Sequence, residues 1–131
     1  MKLHLTTFRI GTMPEPGQGL RVGATRRPPR GVPKDRWVAG GYFDVWMPAL
    51  APSAKLVAEI MKKQHGPAAA FQKALDRYER ELLANAESRQ TVEFVAQVAA
   101  RTPIAIGCFC EDESRCHRSR LYKIIQDHAP R

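Results

Sequence analysis

The chain has 131 residues, 44% of them hydrophobic and 26% charged, which fits one globular domain with a single apolar core. No apolar run approaches the roughly 20 residues that a membrane-spanning helix needs, and Met1-Lys2-Leu3-His4-Leu5-Thr6-Thr7 lacks the apolar centre of a signal peptide, so a cytoplasmic protein with no membrane partner is expected. The formal charge of +8 is uneven: residues 1–37 carry eight Lys/Arg against two acidic residues, and the rest of the chain carries 13 against 11. That asymmetry points to an anionic partner, such as a phosphate-bearing ligand, a nucleotide or nucleic acid, with a solvated basic surface as the plainer explanation.

Residues 2–10 alternate loosely through Leu3, Leu5, Phe8 and Ile10 and predict a first strand. Two prolines and three glycines in residues 11–19 end it. Residues 20–25 form a second, short strand candidate. Arg26-Arg27-Pro28-Pro29-Arg30-Gly31-Val32-Pro33-Lys34 then holds three prolines, each of which fixes φ and removes a donor, so a stiff loop displaying arginines is expected. Such a loop loses little entropy on gripping an anion, and guanidinium groups suit bidentate contacts. Residues 40–50 read as irregular, with Phe43, Trp46 and Leu50 anchoring them; a stacking platform for a base is the alternative.

Three helices follow. Ser53 is placed to cap the first, whose stripe is Leu56, Val57, Ile60 and Met61, ending near His65-Gly66. Pro67 suits the first turn of the second. Phe71, Ala74, Leu75, Tyr78 and Leu82 give that helix a strong amphipathic spacing, with Asp76–Arg80 and Arg77–Glu81 pairs on its polar side. The third runs from about Ser88 to Ala100 through Val92, Val95, Val98 and Ala99, and Pro103 stops it. A buried strand, Ile104-Ala105-Ile106-Gly107-Cys108-Phe109-Cys110, a polar break at Glu111-Asp112-Glu113-Ser114-Arg115, and a final helix from Cys116 through Leu121, Ile124 and Ile125 complete the chain. The order predicts an α/β fold, one compact domain over 1–131 with a small, mostly parallel sheet and helices packed on it, in a Rossmann-like or flavodoxin-like three-layer arrangement. His4, His65 and His128 stand alone and read as surface or satisfied residues.

All three cysteines and His117 lie around the turn between the last strand and last helix, where open α/β sheets bind ligands. Three readings compete. Free N–H groups at the helix start with Arg115 and Arg118 make an anion pocket. Cys116 beside His117 and arginines makes a nucleophilic thiol, with His117 or an acidic loop residue such as Glu111 carrying the proton. A direct Cys116–His117 pair is disfavoured there, because adjacent helical residues point about 100° apart. Cys108, Cys110, Cys116 and His117 offer four ligands for a metal such as zinc, against which the one-residue gap between Cys108 and Cys110 counts. The odd number of cysteines argues for free thiols rather than a disulfide scaffold. By the period-two rule Cys108 and Cys110 also share the face of Ile104 and Ile106, as buried small hydrophobes.

Residues 108–118 resemble the Cys…Cys-His-Arg signature of the DUF488 family, domain of unknown function 488. Arg26-Arg27-Pro28-Pro29-Arg30-Gly31 is similar to its Arg-x-x-Pro-Arg-Gly loop. Leu50-Ala51-Pro52-Ser53 and Tyr78-Glu79-Arg80-Glu81-Leu82 resemble its Leu-Ala-Pro-Ser and Tyr-x-x-Glu-Leu markers. The resemblance implies a single α/β domain and marks Arg26, Pro29, Arg30, Gly31, Pro52, Ser53, Tyr78, Glu81, Cys108, Cys116, His117 and Arg118. Thr25 and Cys110 depart from it, standing where many members carry acidic residues, with Glu111 displaced by one position. The expectation that follows is a pocket for a phosphate-bearing ligand between Arg26 and Arg30 on one side and Arg115, Cys116, His117 and Arg118 on the other. Thiol catalysis, a non-enzymatic nucleic-acid module, and a Cys/His metal or redox-sensing site are the alternatives.

Overall fold

The computed structural model covers residues 1–131. Four strands, β1 (Leu5–Arg9), β2 (Leu20–Gly23), β3 (Val45–Trp46) and β4 (Ile104–Cys108), and four helices, α1 (Ala54–Lys63), α2 (Ala68–Ala84), α3 (Ala86–Ala99) and α4 (His117–Asp127), make up the regular structure. The strands form one sheet in the order β1-β4-β2-β3, with every neighbouring pair parallel. The expected α/β class and parallel sheet are what the chain adopts. No helix is long and apolar enough to cross a membrane.

β4 lies between β1 and β2, and all five of its residues are buried, which is why it reads as an unbroken apolar run. Its two faces meet different layers. Ile104 and Ile106 join Leu3, Leu5, Val22 and Ala24 in the main core, under apolar stripes from all four helices. Ala105 faces the other way, into a smaller cluster of Phe8, Ile10, Trp37 and Phe43. The third layer is thus an aromatic loop with one 3-10 turn, Lys34–Arg36, because the connections 10–19 and 24–44 hold five prolines that keep them from forming an α-helix. Trp37 packs edge-on against Phe43, with ring centroids 4.8 Å apart. Arg21 is buried beneath this layer with its guanidinium 4.0 Å from the Phe8 ring centre and donating to the Thr12 carbonyl at 2.6 Å.

The helices match their periodicity closely. Ser53 Oγ accepts from the Leu56 N–H at the start of α1, and Phe71, Ala74, Leu75, Tyr78 and Leu82 of α2 are all buried. Several boundaries and partners differ. Met61 is 62% exposed, because α1 packs on α2 at the edge of the layer and needs a narrow stripe. Arg77 pairs with Glu59 of α1 and Asp76 with Arg120 of α4, so tertiary partners displace the two intrahelical pairs. α3 starts at Ala86, earlier than expected, since Asn85 Oδ1 accepts from the Ser88 N–H and caps it. β1 is shorter than residues 2–10, and β4 stops at Cys108, leaving Cys110 beyond the strand. β3 lies within the stretch expected to be irregular; two residues carry no readable period, and Asp44 N–H to Arg21 O and Met47 N–H to Gly23 O fix its place beside β2.

Residues 48–53 connect β3 to α1, and Pro48 and Pro52 keep them out of any ladder. Their backbone groups are met by side chains instead. Arg26 donates to the carbonyls of Pro52 (2.9 Å), Pro48 (3.0 Å) and Ala51 (3.1 Å). The buried Tyr78 hydroxyl donates to the Leu50 carbonyl, and Glu81 accepts from the Ser53 N–H. Burial, with the charge of Glu81, pushes the Tyr78 pKa well up. Tyr78→Phe should lose about 1–2 kcal/mol in urea unfolding through one orphaned carbonyl, and Arg26→Ala, which strips three, should lose about 2–4 kcal/mol. Equal, near-zero losses would contradict this bracing role.

Candidate functional site

The loop leaving β4 returns to the sheet at Cys116, and side chains from both ends converge there. Asp112 Oδ1 accepts from the N–H and Oγ of Ser114, at 3.0 and 2.7 Å, which shapes a 3-10 turn over Glu113–Arg115. Those bonds hold the Asp112 carboxyl below the usual carboxylate range. Gln64 Nε2 donates to the Arg115 carbonyl, Arg115 donates to the Gly66 carbonyl, and the Thr7 hydroxyl bonds Glu113. The turn is therefore fastened on two sides, to the α1–α2 connection and to β1.

Three sulfurs meet inside it. The Sγ atoms of Cys108 and Cys116 are paired and Cys110 is free, with all three Sγ atoms within 4.8 Å of one another, while the Cα atoms of the pair stand 7.7 Å apart, wider than a disulfide ordinarily spans. The odd count of cysteines argues against a disulfide scaffold, and the loop folds one pair of sulfurs together and leaves one over. Cys108 and Cys116 are fully buried, and Cys110 is half-buried. Arg118, buried in the first turn of α4, donates from one Nη to Cys108 Sγ at 3.1 Å and to the Cys110 carbonyl at 2.7 Å. Its Nε has no partner. Burial lowers the Arg118 pKa, opposed by Glu113, Cys110 and Asp112, and the guanidinium remains the cation nearest the cluster.

His117 Nε2 lies 2.7 Å from the Ala24 carbonyl. A carbonyl only accepts, so Nε2 carries the proton and Nδ1 is bare. Nδ1 is 3.9 Å from Cys116 Sγ. The two side chains lie closer than helical geometry alone suggests, because Cys116 is the N-cap of α4, with φ −131° and ψ 148°, and the 100° rule applies only inside the helix; with neither atom carrying a proton, the approach is a contact and not a hydrogen bond. Burial, chiefly, takes the His117 pKa down to about 4, against the Ala24 bond that raises it and with Arg118 lowering it further. With the pair reduced, His117 Nδ1 would be placed to accept from a Cys116 thiol, and the Arg118 guanidinium would face Cys108 Sγ.

The remaining candidates lie apart from the sulfurs. Arg26 is occupied by its three carbonyls, and Arg115 by Gly66 and the Phe71 ring, 5.5 Å away. Arg30 is exposed on its loop. Glu111 is exposed and pairs with Arg9 at 3.6 Å. His117 is absent from the close sulfur group, so the four-ligand metal set reduces to three cysteines. Sequence reasoning did not find Ala24, whose carbonyl sets the His117 tautomer, since a backbone partner leaves no residue signal. A groove of about 900 Å³ runs beside the outer edge of β1, lined by Leu3, Leu5, Thr7, Glu113, Ser114 and Tyr122, and the sulfurs lie outside it.

A family model described as the active DUF488-N3 subclade matches residues 5–129. No curated protein and no solved structure matches the chain.

The depressed His117 pKa ties stability to pH. The unfolded imidazole binds its proton near pH 6.5 and the folded one only near 4, so this contribution is complete above pH 6.5 and is lost as pH falls towards 4. Chemical unfolding of the oxidised protein should show the stability difference between wild type and His117→Gln narrowing by about 2 kcal/mol from pH 7 to pH 5. A difference independent of pH would mean that the ring is not held neutral.

Proposed function

The chain belongs to the DUF488 family, and on that premise we propose that it is a thiol–disulfide exchange protein, in which Cys110 relays between an outside thiol and the buried Cys108–Cys116 pair. The observation that carries this reading is the meeting of three sulfurs within 4.8 Å with Arg118 on one of them. Exposure supports this order of events. An outside thiol has no path to Cys108 or Cys116, both fully buried, and meets the half-buried Cys110 first.

In the reductive direction the Cys110 thiolate attacks Cys116 Sγ. A Cys110–Cys116 bond forms, the Cys108–Cys116 bond breaks, and its electron pair leaves on Cys108 Sγ beside the Arg118 guanidinium. An outside thiolate then attacks the Cys110 sulfur, freeing Cys116, which takes a proton from water and lies against the bare Nδ1 of His117. A second outside thiolate releases Cys110 and departs as the mixed pair's disulfide. Two electrons enter the protein, and two outside thiols become one disulfide. The positive charge of Arg118 lies against the sulfur that leaves, and a leaving thiolate so stabilised departs faster.

A second reading, a pocket for a phosphate-bearing ligand, draws support from the unpartnered Nε of buried Arg118 and from the N-terminus of α4. Arg26 and Arg115 are committed to backbone carbonyls, and Glu111, Asp112 and Glu113 line the exposed side of the turn, so the relay is the stronger of the two.

The test is reduction of the oxidised protein by glutathione, followed by alkylation and mass measurement. Wild type should pass from one titratable thiol to three, and Cys110→Ser should keep its bridge and be reduced at least tenfold more slowly. Arg118→Met should slow the same step. Equal rates for wild type and Cys110→Ser would sink the relay.

A further inference from the structure

We propose that the reduced cluster is a binding site for one zinc ion, held by the thiolates of Cys108, Cys110 and Cys116, and that the Cys108–Cys116 bridge switches it off. The inference shares its sulfurs with the relay reading but does not depend on exchange being fast.

Distance is the first argument. Thiolates around a tetrahedral zinc at a Zn–S distance of about 2.3 Å stand roughly 3.8 Å from one another. The three Sγ atoms already lie within 4.8 Å, on a loop whose ends are fixed by β4 and α4. Once the bridge opens, its two sulfurs separate and Cys110 Sγ moves in to reach that spacing. The one-residue gap between Cys108 and Cys110, which counts against a zinc hairpin, is no obstacle here: β4 ends at Cys108, and the chain turns before Cys110.

Charge is the second. Three thiolates carry three negative charges in a largely buried place, and that needs compensation. Zinc supplies two positive charges and Arg118, at 3.1 Å from Cys108 Sγ, supplies the third. A monovalent soft ion would leave the group one charge short, so a divalent ion fits best. The third argument is the coordination number. His117 points its protonated Nε2 at Ala24, and its other nitrogen is not grouped with the three sulfurs, so the protein offers three ligands. Cys110 is the least buried of the three, so water or a small thiol arriving from its side would complete the shell.

Bridge and ion exclude each other, because a disulfide sulfur carries no thiolate charge. An oxidising disulfide, RSSR, would take two electrons from Cys108 and Cys116. The Cys108–Cys116 bond forms, the RS–SR bond breaks to give two RS⁻, and zinc is released with Cys110 left as a single thiolate.

The experiment is equilibrium competition for Zn²⁺ against a chromophoric chelator, with Cd²⁺ as a second probe whose thiolate charge-transfer absorption counts sulfur ligands. Reduced wild type should bind one ion per chain and show three cadmium–thiolate bonds. The oxidised protein should bind none, Cys110→Ser should lose at least a hundredfold in affinity, and His117→Gln should retain wild-type affinity. Cys110→Ser keeps the Cys108–Cys116 pair, so its bridge reports folding independently of metal. No stoichiometric binding by reduced wild type, equal binding by the oxidised form, or wild-type affinity in Cys110→Ser would each overturn the site. Failure here with Cys110-dependent reduction by glutathione intact removes the metal and leaves the relay. Binding with Cys110-independent reduction does the reverse.

Discussion

The arrangement rests on how the backbone of residues 48–53 is satisfied. Two prolines keep this stretch out of the sheet and out of α1, yet Leu50 and Ala51 are buried, and buried carbonyls without partners are costly. Arg26 answers three of them, Tyr78 a fourth, and Glu81 takes the N–H that precedes α1. One knot thereby joins the end of β2, the start of α1 and the middle of α2. The family markers at Arg26, at 50–53 and at 78–82 are parts of this single device.

The knot also reaches the sulfur cluster. Arg26 follows Ala24 and Thr25, so bracing it fixes where the Ala24 carbonyl lies, and that carbonyl holds His117. Tyr78, anchored on Leu50, packs edge-on to the His117 ring at 5.6 Å. An imidazole held from both sides cannot turn its protonated nitrogen towards Cys116. Its neutrality follows from packing, and it leaves Arg118 as the charge that acts on the thiols. The basic character of the N-terminal third therefore says less about this turn than the total charge suggests, since Arg21 and Arg26 spend their charge on the fold.

Where side chains repeat, the sequence was informative. The stripe of α2, the Ser53 cap, the burial of β4 and the strand–loop–helix around the cysteines follow from spacing and from the identity of a few capping and breaking residues. Met61 and the pairs of Asp76 and Arg77 went differently, because periodicity says which face is apolar but not how wide a face the neighbour covers. β3 was illegible, as two residues have no period and their pairing depends on β2 across a long loop.

The sequence by itself determined an α/β domain and the placing of Cys108, Cys110, Cys116, His117 and Arg118 around the turn from β4 to α4. Only the tertiary structure decided their relations. It paired the sulfurs of two cysteines and left the third half-buried, seated Arg118 on Cys108, and turned His117 to Ala24. It also withdrew Arg26 and Arg115 into the scaffold. The physical reason is that composition and spacing specify which groups are near in the chain, whereas pKa, access and ligand geometry depend on groups distant in sequence, many of them backbone carbonyls that every residue possesses.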